Sequence, residues 1–213
     1  DYGTDESLNI IRDLSDQIAA VIVEPVQSRR PEFTPKEFIK ELRTITTASK
    51  SLLVFDEVIT GFRFGPRGAQ DLYDVEADLA AYGKVVGGGL PVGVVAGKAQ
   101  FMDTFDGGEW HYGDDSFPEK SVTFFAGTFV RHPLAMASTR AMLQYMKEQP
   151  PLFWKTINAK GNHLASTINQ FFIESDVPIR MLNHGSLMFV RVLDNHPYAN
   201  LLFFLLREKG IFI

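Results

Sequence analysis

Short apolar runs alternate with helix-like patterns through the first half of the chain. Runs at residues 18–23 and 52–55 are followed directly by acids, Glu24 and Asp56, and a run at residues 79–82 is followed by Gly83 and Lys84. Apolar runs of this length with polar ends predict buried strands, and the segments between them have a helical period. The alternation predicts an α/β fold, a mostly parallel sheet flanked by helices.

The segment between the first two runs has the signals of a helix start. Thr34 is the predicted N-cap, Pro35 suits the first turn, and Glu37 stands three residues after the cap. The apolar positions of this helix fall on one face, which predicts that the face packs against the sheet. They are Phe38, Ile39, Leu42 and Ile45.

The pattern changes near Pro150. Before Pro150 we predict a fourth strand at residues 92–96 and a helix at residues 133–149. After it we predict a helix at residues 152–175 and a strand at residues 186–192. A short helix from Tyr198 to Lys209 follows and is ended by Gly210. Residues 1–150 are therefore predicted to belong to a large domain, and residues 151–213 to an incomplete smaller α+β domain. The last residues look like a strand cut short, so we expect a fragment of a longer protein.

Composition narrows the possible functions. The chain is 45% hydrophobic and 22% charged, as in ordinary globular proteins, and its net charge of −5 argues against nucleic acid or an anionic membrane as the main partner. Without cysteine it has neither disulfides nor thiolate chemistry. Neither an apolar run of about 18 residues nor a secretory signal is present. We expect a cytoplasmic protein that does not cross a membrane.

Two strand ends carry the candidate chemistry. A carboxylate such as Asp56 at the end of a buried strand needs a partner: a protonated ring nitrogen, as in pyridoxal phosphate (PLP), the following turn, or Arg63. Lys84 is followed within a few residues by glycines 87–89, which let the backbone approach a bulky ligand. A desolvated lysine amine can attack an aldehyde, although a lysine beside glycines is also typical of a surface turn.

Four motifs occur in a fixed order along the chain. They are EPVQ at 24–27, FDEVITGFR at 55–63, GKVVGGGLPVG at 83–93, and AGT at 126–128 before HPLA at 132–135. With these motifs the chain resembles the class III, fold-type I aminotransferases, and the glutamate-1-semialdehyde aminomutases are the nearest general type. The resemblance runs from about Leu8 to Ala141 and continues more faintly to the end.

The resemblance implies a role for each matching residue. PLP is the implied cofactor, with Asp56 paired to its pyridine nitrogen, Val58 packed on its ring, and Lys84 holding it covalently and then moving a proton at the substrate carbon. Thr128 is expected to donate a hydrogen bond to the phosphate, usually from the neighbouring subunit, so a homodimer is implied. No metal is expected, because His111 and the acids near it lack the spacing of metal ligands.

The chain departs from the family pattern in two ways. Ile59 stands where many members have glutamine near the ring hydroxyl, although the aminomutases often have a hydrophobic residue there. The family also has an earlier segment that holds the phosphate and a longer C-terminal domain. We therefore expect the 213 residues alone to form an incomplete active site.

A finer resemblance comes from residues 27–32, and from residues 106–115 before 124–133. Both stretches look like aminotransferase domains of hybrid polyketide/nonribosomal peptide synthetases. This resemblance implies transfer of an amino group from a donor amino acid to a β-keto acyl thioester on an acyl carrier protein. Trp110, His111 and Tyr112 then line a mouth for the acyl arm, or they form a surface loop. Two alternatives stay open: a free-standing aminomutase and a non-catalytic scaffold module.

Overall fold

The computed structural model describes residues 1–118, 122–193 and 198–212. The chain divides into two compact units. The first combines Asp1–Gln27 with Phe33–Trp154, and the second combines Ser28–Glu32 with Lys155–Ile213.

A four-stranded sheet forms the centre of the first unit. Its strands are β1 (Ala20–Val23), β2 (Leu52–Glu57), β3 (Leu79–Gly83) and β4 (Gly93–Gly97), paired in that order. The first three are parallel and β4 is antiparallel to β3. The predicted mostly parallel α/β sheet is confirmed. The direction of β4 follows from its short connection, because residues 84–92 are too few for the crossover of a dozen or more residues that a parallel neighbour needs.

Helices α1 to α5 complete this unit, and α6 begins at its end. Their bounds are α1 Asp5–Asp13, α2 Lys36–Ser49, α3 Ala69–Tyr73, α4 Ala99–Asp106, α5 Pro133–Lys147 and α6 Phe153–Glu174. The predicted helix starts at 133 and 152 therefore lie within one residue of the observed ones. A single 3₁₀ turn, Lys84–Gly87, follows β3.

Helix α2 covers the sheet with the face that its sequence predicts. Phe38, Ile39, Leu42 and Ile45 are all buried. Complete burial of one such side chain contributes about 1.5–3 kcal/mol. The predicted N-cap was wrong: the cap is Pro35, without a side-chain hydrogen bond, and the first helical residue is Lys36. The helix starts one residue later than predicted, because Pro35 at ψ 84° is still outside the helical region.

The second unit contains an antiparallel hairpin of β5 (Ile179–His184) and β6 (Leu187–Val192). A Cβ on Gly161 of α6 would lie 2.4 Å from the carbonyl oxygen of Gly185, so glycine permits the close approach of helix and hairpin turn. The sequence predicted β6 but missed β5, whose residues lack a clear apolar–polar alternation.

The 3₁₀ turn Ala199–Leu201 and α7 (Leu202–Glu208) follow the hairpin. Gly210, at φ 75°, comes one residue after the C-cap Lys209. The Gly210 N–H donates to Arg207 O, and the Ile211 N–H donates to Leu206 O. Both bonds belong to the Schellman helix ending that a glycine at this position favours.

Among the helices in the described residues, none has both the length and the apolar character that a membrane span requires.

Candidate functional site

The end of β2 presents two neighbouring acids to opposite faces of the sheet, as strand geometry requires. Glu57 is completely buried, whereas Asp56 is half-buried on the other face. The two acids therefore have different surroundings, although they are adjacent in sequence.

Glu57 stabilises the start of α3. Its carboxylate accepts hydrogen bonds from the Ala69 N–H at 3.0 Å, the Gln70 N–H at 3.3 Å and the Thr60 hydroxyl at 2.5 Å. Burial raises the pKa of Glu57 above its ordinary value, and the bonds from Ala69, Thr60 and Gln70 oppose that rise. Glu57 thus caps a helix that begins twelve residues further along the chain, a contact that the sequence did not predict.

Asp56 is oriented by its own turn. Its Oδ1 accepts the Val58 N–H at 3.0 Å, which ties the carboxylate to the first residues after β2. Within the described ranges Asp56 forms no salt bridge. Arg63, which the sequence offered as a partner, donates through Nε to the carbonyl oxygen of Ile59 at 2.6 Å.

Lys84 lies at the same end of the sheet on the neighbouring strand. In the parallel pairing Asp56 is opposite Ala81, and Lys84 comes three residues later, immediately after β3. Its side chain is exposed, and its φ of 48° is in the left-handed region that a residue with a Cβ seldom adopts. Such local strain is typical of functional sites.

Val58 packs against the glycine that precedes the lysine. A Cβ on Gly83 would lie 3.3 Å from Val58 Cγ1 and 3.4 Å from the carbonyl oxygen of Val92. The absence of a side chain at residue 83 lets the two strand ends approach closely. The structure thus brings Asp56, Val58 and Lys84 to one edge of the sheet.

A hydroxyl on α5 holds the loop after Lys84, a contact that the sequence analysis did not predict. Ser138 Oγ donates to the Gly87 carbonyl oxygen at 2.8 Å. Gly88 has φ 58°, and a Cβ there would come within 2.7 Å of the same oxygen, Ser138 Oγ. The only signal in the sequence is a serine on the helix that follows the AGT motif.

Thr128 lies in an exposed turn between Gly127 and Val130. Within the described ranges no hydrogen bond joins it to Asp56, Val58 or Lys84. The residue after it, Phe129, is 81% exposed and lines a cavity of about 420 Å³. Among the described residues, its lining consists of Leu90, Pro91, Phe129, His132, Leu134 and Ala135. This largely apolar cavity lies between the loop that follows Lys84 and the turn that contains Thr128.

The segment with Trp110, His111 and Tyr112 is a surface loop organised by its own contacts. Trp110 Nε1 donates to Asp106 O, and the His111 N–H donates to Ser116 Oγ. Tyr112 is 98% exposed. In the part of the chain that the structure describes, no group of three His, Cys, Asp or Glu residues has the geometry to hold a metal ion.

Comparison with known proteins gives one consistent family. The model of the class-III aminotransferases matches residues 3–213. Glutamate-1-semialdehyde 2,1-aminomutase 2 of Lachnoclostridium phytofermentans is 33% identical over 223 residues, covering 98% of this chain and 49% of the relative. The corresponding aminomutase of Sulfurihydrogenibium sp. strain YO3AOP1 is 39% identical over 176 residues, covering 82% and 38%. The chain spans about half the length of the curated relatives it matches, or less.

Solved structures agree with the fold. A transaminase with PLP bound has a TM-score of 0.80 at 29% identity, covering 97% of this chain and 48% of that protein. An omega-transaminase from Sphaerobacter thermophilus has a TM-score of 0.77 at 29% identity, covering 98% and 48%. The sheet and its flanking helices are therefore those of the fold-type I PLP-dependent transferases.

Proposed function

The chain belongs to the class-III aminotransferase family, and we propose that the protein containing it is a PLP-dependent aminotransferase. The observation that carries this proposal is the register of β2 and β3, which sets Asp56 and Lys84 at the ends of adjacent strands. Ligands of open α/β sheets bind just beyond the carboxyl ends of the strands, where these two residues lie.

The residues at this edge fit PLP. The half-buried carboxylate of Asp56, already held by the Val58 N–H, suits a protonated ring nitrogen. Val58 has a fixed position against Gly83, which suits it to support a flat ring. When bound, PLP supplies an electron sink that stabilises negative charge developing on the substrate carbon.

Lys84 has two tasks in this proposal. Its amine holds the cofactor covalently, and after the amino substrate displaces it, the same amine moves a proton at the substrate carbon. Its exposed side chain can reach a ligand beyond the strand ends, and the turn held by Ser138 limits where its backbone can be.

We propose that Thr128 donates a hydrogen bond to the cofactor phosphate across a homodimer. Its position in an exposed turn supports this role, since a residue serving the neighbouring subunit must face outward. Phe129 and Leu134, which line the same cavity, are 81% and 62% exposed. Large apolar side chains exposed together are typical of a protein interface.

We also propose a division of the chain into two domains that agrees with this function. Residues 1–150 are assigned to the PLP-binding large domain and residues 151–213 to the beginning of the small domain. A cytoplasmic location, expected from the sequence, completes the proposal and is tested by cell fractionation.

For the substrates, we propose a donor amino acid and a β-keto acyl thioester on an acyl carrier protein. The supporting observations are the stretches 27–32 and 106–115, together with the 420 Å³ apolar cavity, which has room for part of an acyl chain. The alternative is an aminomutase that moves an amino group between neighbouring carbons. The names of the relatives with 33% and 39% identity favour that alternative.

Absorbance of the full-length protein with added PLP tests the proposed cofactor. We expect a visible absorbance band that disappears on borohydride reduction. The reduced cofactor should then be attached to the peptide that contains Lys84. A protein that takes up no PLP contradicts the enzyme proposal and favours a scaffold module. The matched control is Lys40→Ala on the exposed face of α2, which keeps the band.

Two assays separate the substrate proposals. Conversion of glutamate-1-semialdehyde without an added amino donor favours the aminomutase. Amination of a carrier-bound β-keto acyl thioester that requires a donor amino acid favours the synthetase-type enzyme.

A further inference from the structure

A second carboxylate organises the other end of the sheet. Asp78 stands directly before β3, and its side chain is only 7% exposed. Its Oδ1 accepts from Lys98 Nζ at 2.7 Å, and its Oδ2 accepts from Arg43 Nη1 and from the Leu53 N–H, both at 2.8 Å. One side chain therefore joins α2, β2 and the residue that follows β4.

The main chain of Asp78 contacts two of the same residues. Its N–H donates to Leu53 O at 2.8 Å, and its carbonyl oxygen accepts the Lys98 N–H at 3.0 Å. Asp78 is thus bonded twice to Leu53 and twice to Lys98, each time once through the backbone and once through the carboxylate. Two-point contacts of this kind determine which residues lie opposite each other on neighbouring strands.

The approach of β4 to Asp78 is also unusually close. A Cβ on Gly97, the last residue of β4, would lie 2.3 Å from the Asp78 carbonyl oxygen. Only glycine lets β4 reach Asp78 at this point. The contact between Asp78 and Lys98 is therefore supported by the packing of the strand that leads to it.

The register set at Asp78 continues to the candidate site. The bonds between Asp78 and Leu53 place these two residues opposite each other. Further along the same strands, Val54 therefore pairs with Leu79 and Asp56 with Ala81. A slip of one residue would move β3 by about 3.3 Å and turn its side chains to the opposite face. The position of Lys84 relative to Asp56 depends on the same alignment.

We propose that Asp78 is a positioning residue of the aminotransferase, holding β3 in the register that brings Lys84 beside Asp56. This inference rests on the proposed function. A buried polar residue that specifies register has precedent in coiled coils. Asp78 acts through the sheet and does not touch the cofactor or the substrate.

The test compares Asp78→Asn with the parent in the full-length protein loaded with PLP. Asparagine keeps the size of the side chain and one acceptor, but it loses the charge that attracts Lys98 and Arg43. We expect kcat to fall about 10- to 100-fold, because a displacement of about 1 Å at reacting groups has effects of this size. The visible circular dichroism of bound PLP should weaken, while far-ultraviolet circular dichroism shows a folded protein.

The matched control is Asp71→Asn on α3, which removes the charge from a 2.7 Å salt bridge with Arg67, two residues before that helix. It should leave kcat and the visible signal within about twofold of the parent, since surface pairs contribute little. If Asp78→Asn lowers only the melting temperature and keeps the parental kcat and visible signal, the carboxylate merely stabilises the fold and the proposal is wrong.

Two further outcomes are informative. Should Asp78→Asn not fold, Lys98→Gln removes only the salt bridge between Lys98 and Asp78; parental kcat and visible signal in that variant also overturn the proposal. A parent that shows no visible PLP signal refutes the proposed function itself, and the positioning role falls with it.

Discussion

The two ends of the four-stranded sheet use the same residue types for different purposes. At one end, Asp78 and Lys98 form a 2.7 Å salt bridge, and Arg43 adds a second one at 2.8 Å. At the other end, Asp56 is the second-last residue of β2 and Lys84 directly follows β3, yet within the described ranges neither forms a salt bridge. The carboxylate of Asp78 is fully paired and stabilises the fold. The carboxylate of Asp56 is oriented but forms no salt bridge, so it can bind a ligand together with the exposed amine of Lys84.

The two ends of the sheet also differ in their backbone hydrogen bonds and φ angles. At the Asp78 end, ladder bonds join each strand to its neighbour, and the left-handed residue before β2, Lys50 at φ 60°, is the C-cap of α2. At the Lys84 end, the chain passes through a left-handed lysine and a left-handed Gly88, supported by Ser138. Strain of this kind persists only where surrounding contacts hold it. Under the role proposed for Asp78, the end with the paired carboxylate fixes the register that the site at the other end requires.

The largest expected effect comes from Lys84→Ala. Loss of the amine removes both the covalent attachment and the proton transfer, and the latter alone is worth about 10²- to 10⁴-fold. We expect turnover to fall by at least about 1000-fold, with an unchanged melting temperature because the lysine side chain is exposed. Steady-state kinetics and a thermal melt check both. Turnover close to the parental value, with Lys40→Ala as control, would remove Lys84 from the mechanism.

Asp56→Ala is expected to have the next largest effect. A hydrogen bond to a charged group is worth about 1.5–3 kcal/mol, so PLP should bind about 10- to 100-fold more weakly. The rate should also fall at saturating PLP, because the ring nitrogen is no longer kept protonated. Titration with PLP followed by absorbance measures the first effect. Equal PLP affinity in Asp56→Ala and Asp71→Ala would contradict the role of Asp56.

Glu57→Gln should have the smallest effect on catalysis and a measurable one on stability. Because burial raises the pKa of Glu57 above its ordinary value of 4.5, the folded protein holds this proton more tightly than the unfolded chain does. The contribution of Glu57 is therefore complete below about pH 4.5 and is lost as the pH rises through the raised pKa. Glutamine should lower the free energy of unfolding by about 1–2 kcal/mol in acid, with a difference that narrows at higher pH.

Urea unfolding at a series of pH values measures this difference. Glu37→Gln on the exposed surface of α2 is the control and should show no such trend. A difference between Glu57→Gln and the parent that widens as the pH rises is inconsistent with the raised pKa.

Asp78 should have the opposite pH dependence. Burial acts to raise its pKa, but the bonds from Lys98, Leu53 and Arg43 lower the pKa overall below its ordinary value. Its contribution to stability is therefore present above about pH 3.8 and is lost as the pH falls through the lowered pKa. The two buried acids differ because Glu57 is bonded to neutral donors and Asp78 to two cations.

Much of the architecture could be predicted because it depends on local patterns. The buried face of α2 follows from apolar residues at a helical period, and β2 and β3 follow from short apolar runs. The end of α7 follows from the backbone freedom of Gly210. The edge that carries Asp56 and Lys84 was predictable for the same reason, since parallel strands bring their carboxyl ends together. The roles of Asp56, Val58, Lys84 and Thr128 in binding PLP stay predictions.

Other features depend on which distant residues meet. The sequence alone determined the alternation of strands and helices, the family motifs and the strand ends that carry an acid and an amine. Only the tertiary structure decided that Glu57 caps α3 and that Asp78 joins Arg43, Leu53 and Lys98. A local pattern limits how each segment folds, but the partner of a buried charge is chosen by packing between segments far apart in the chain.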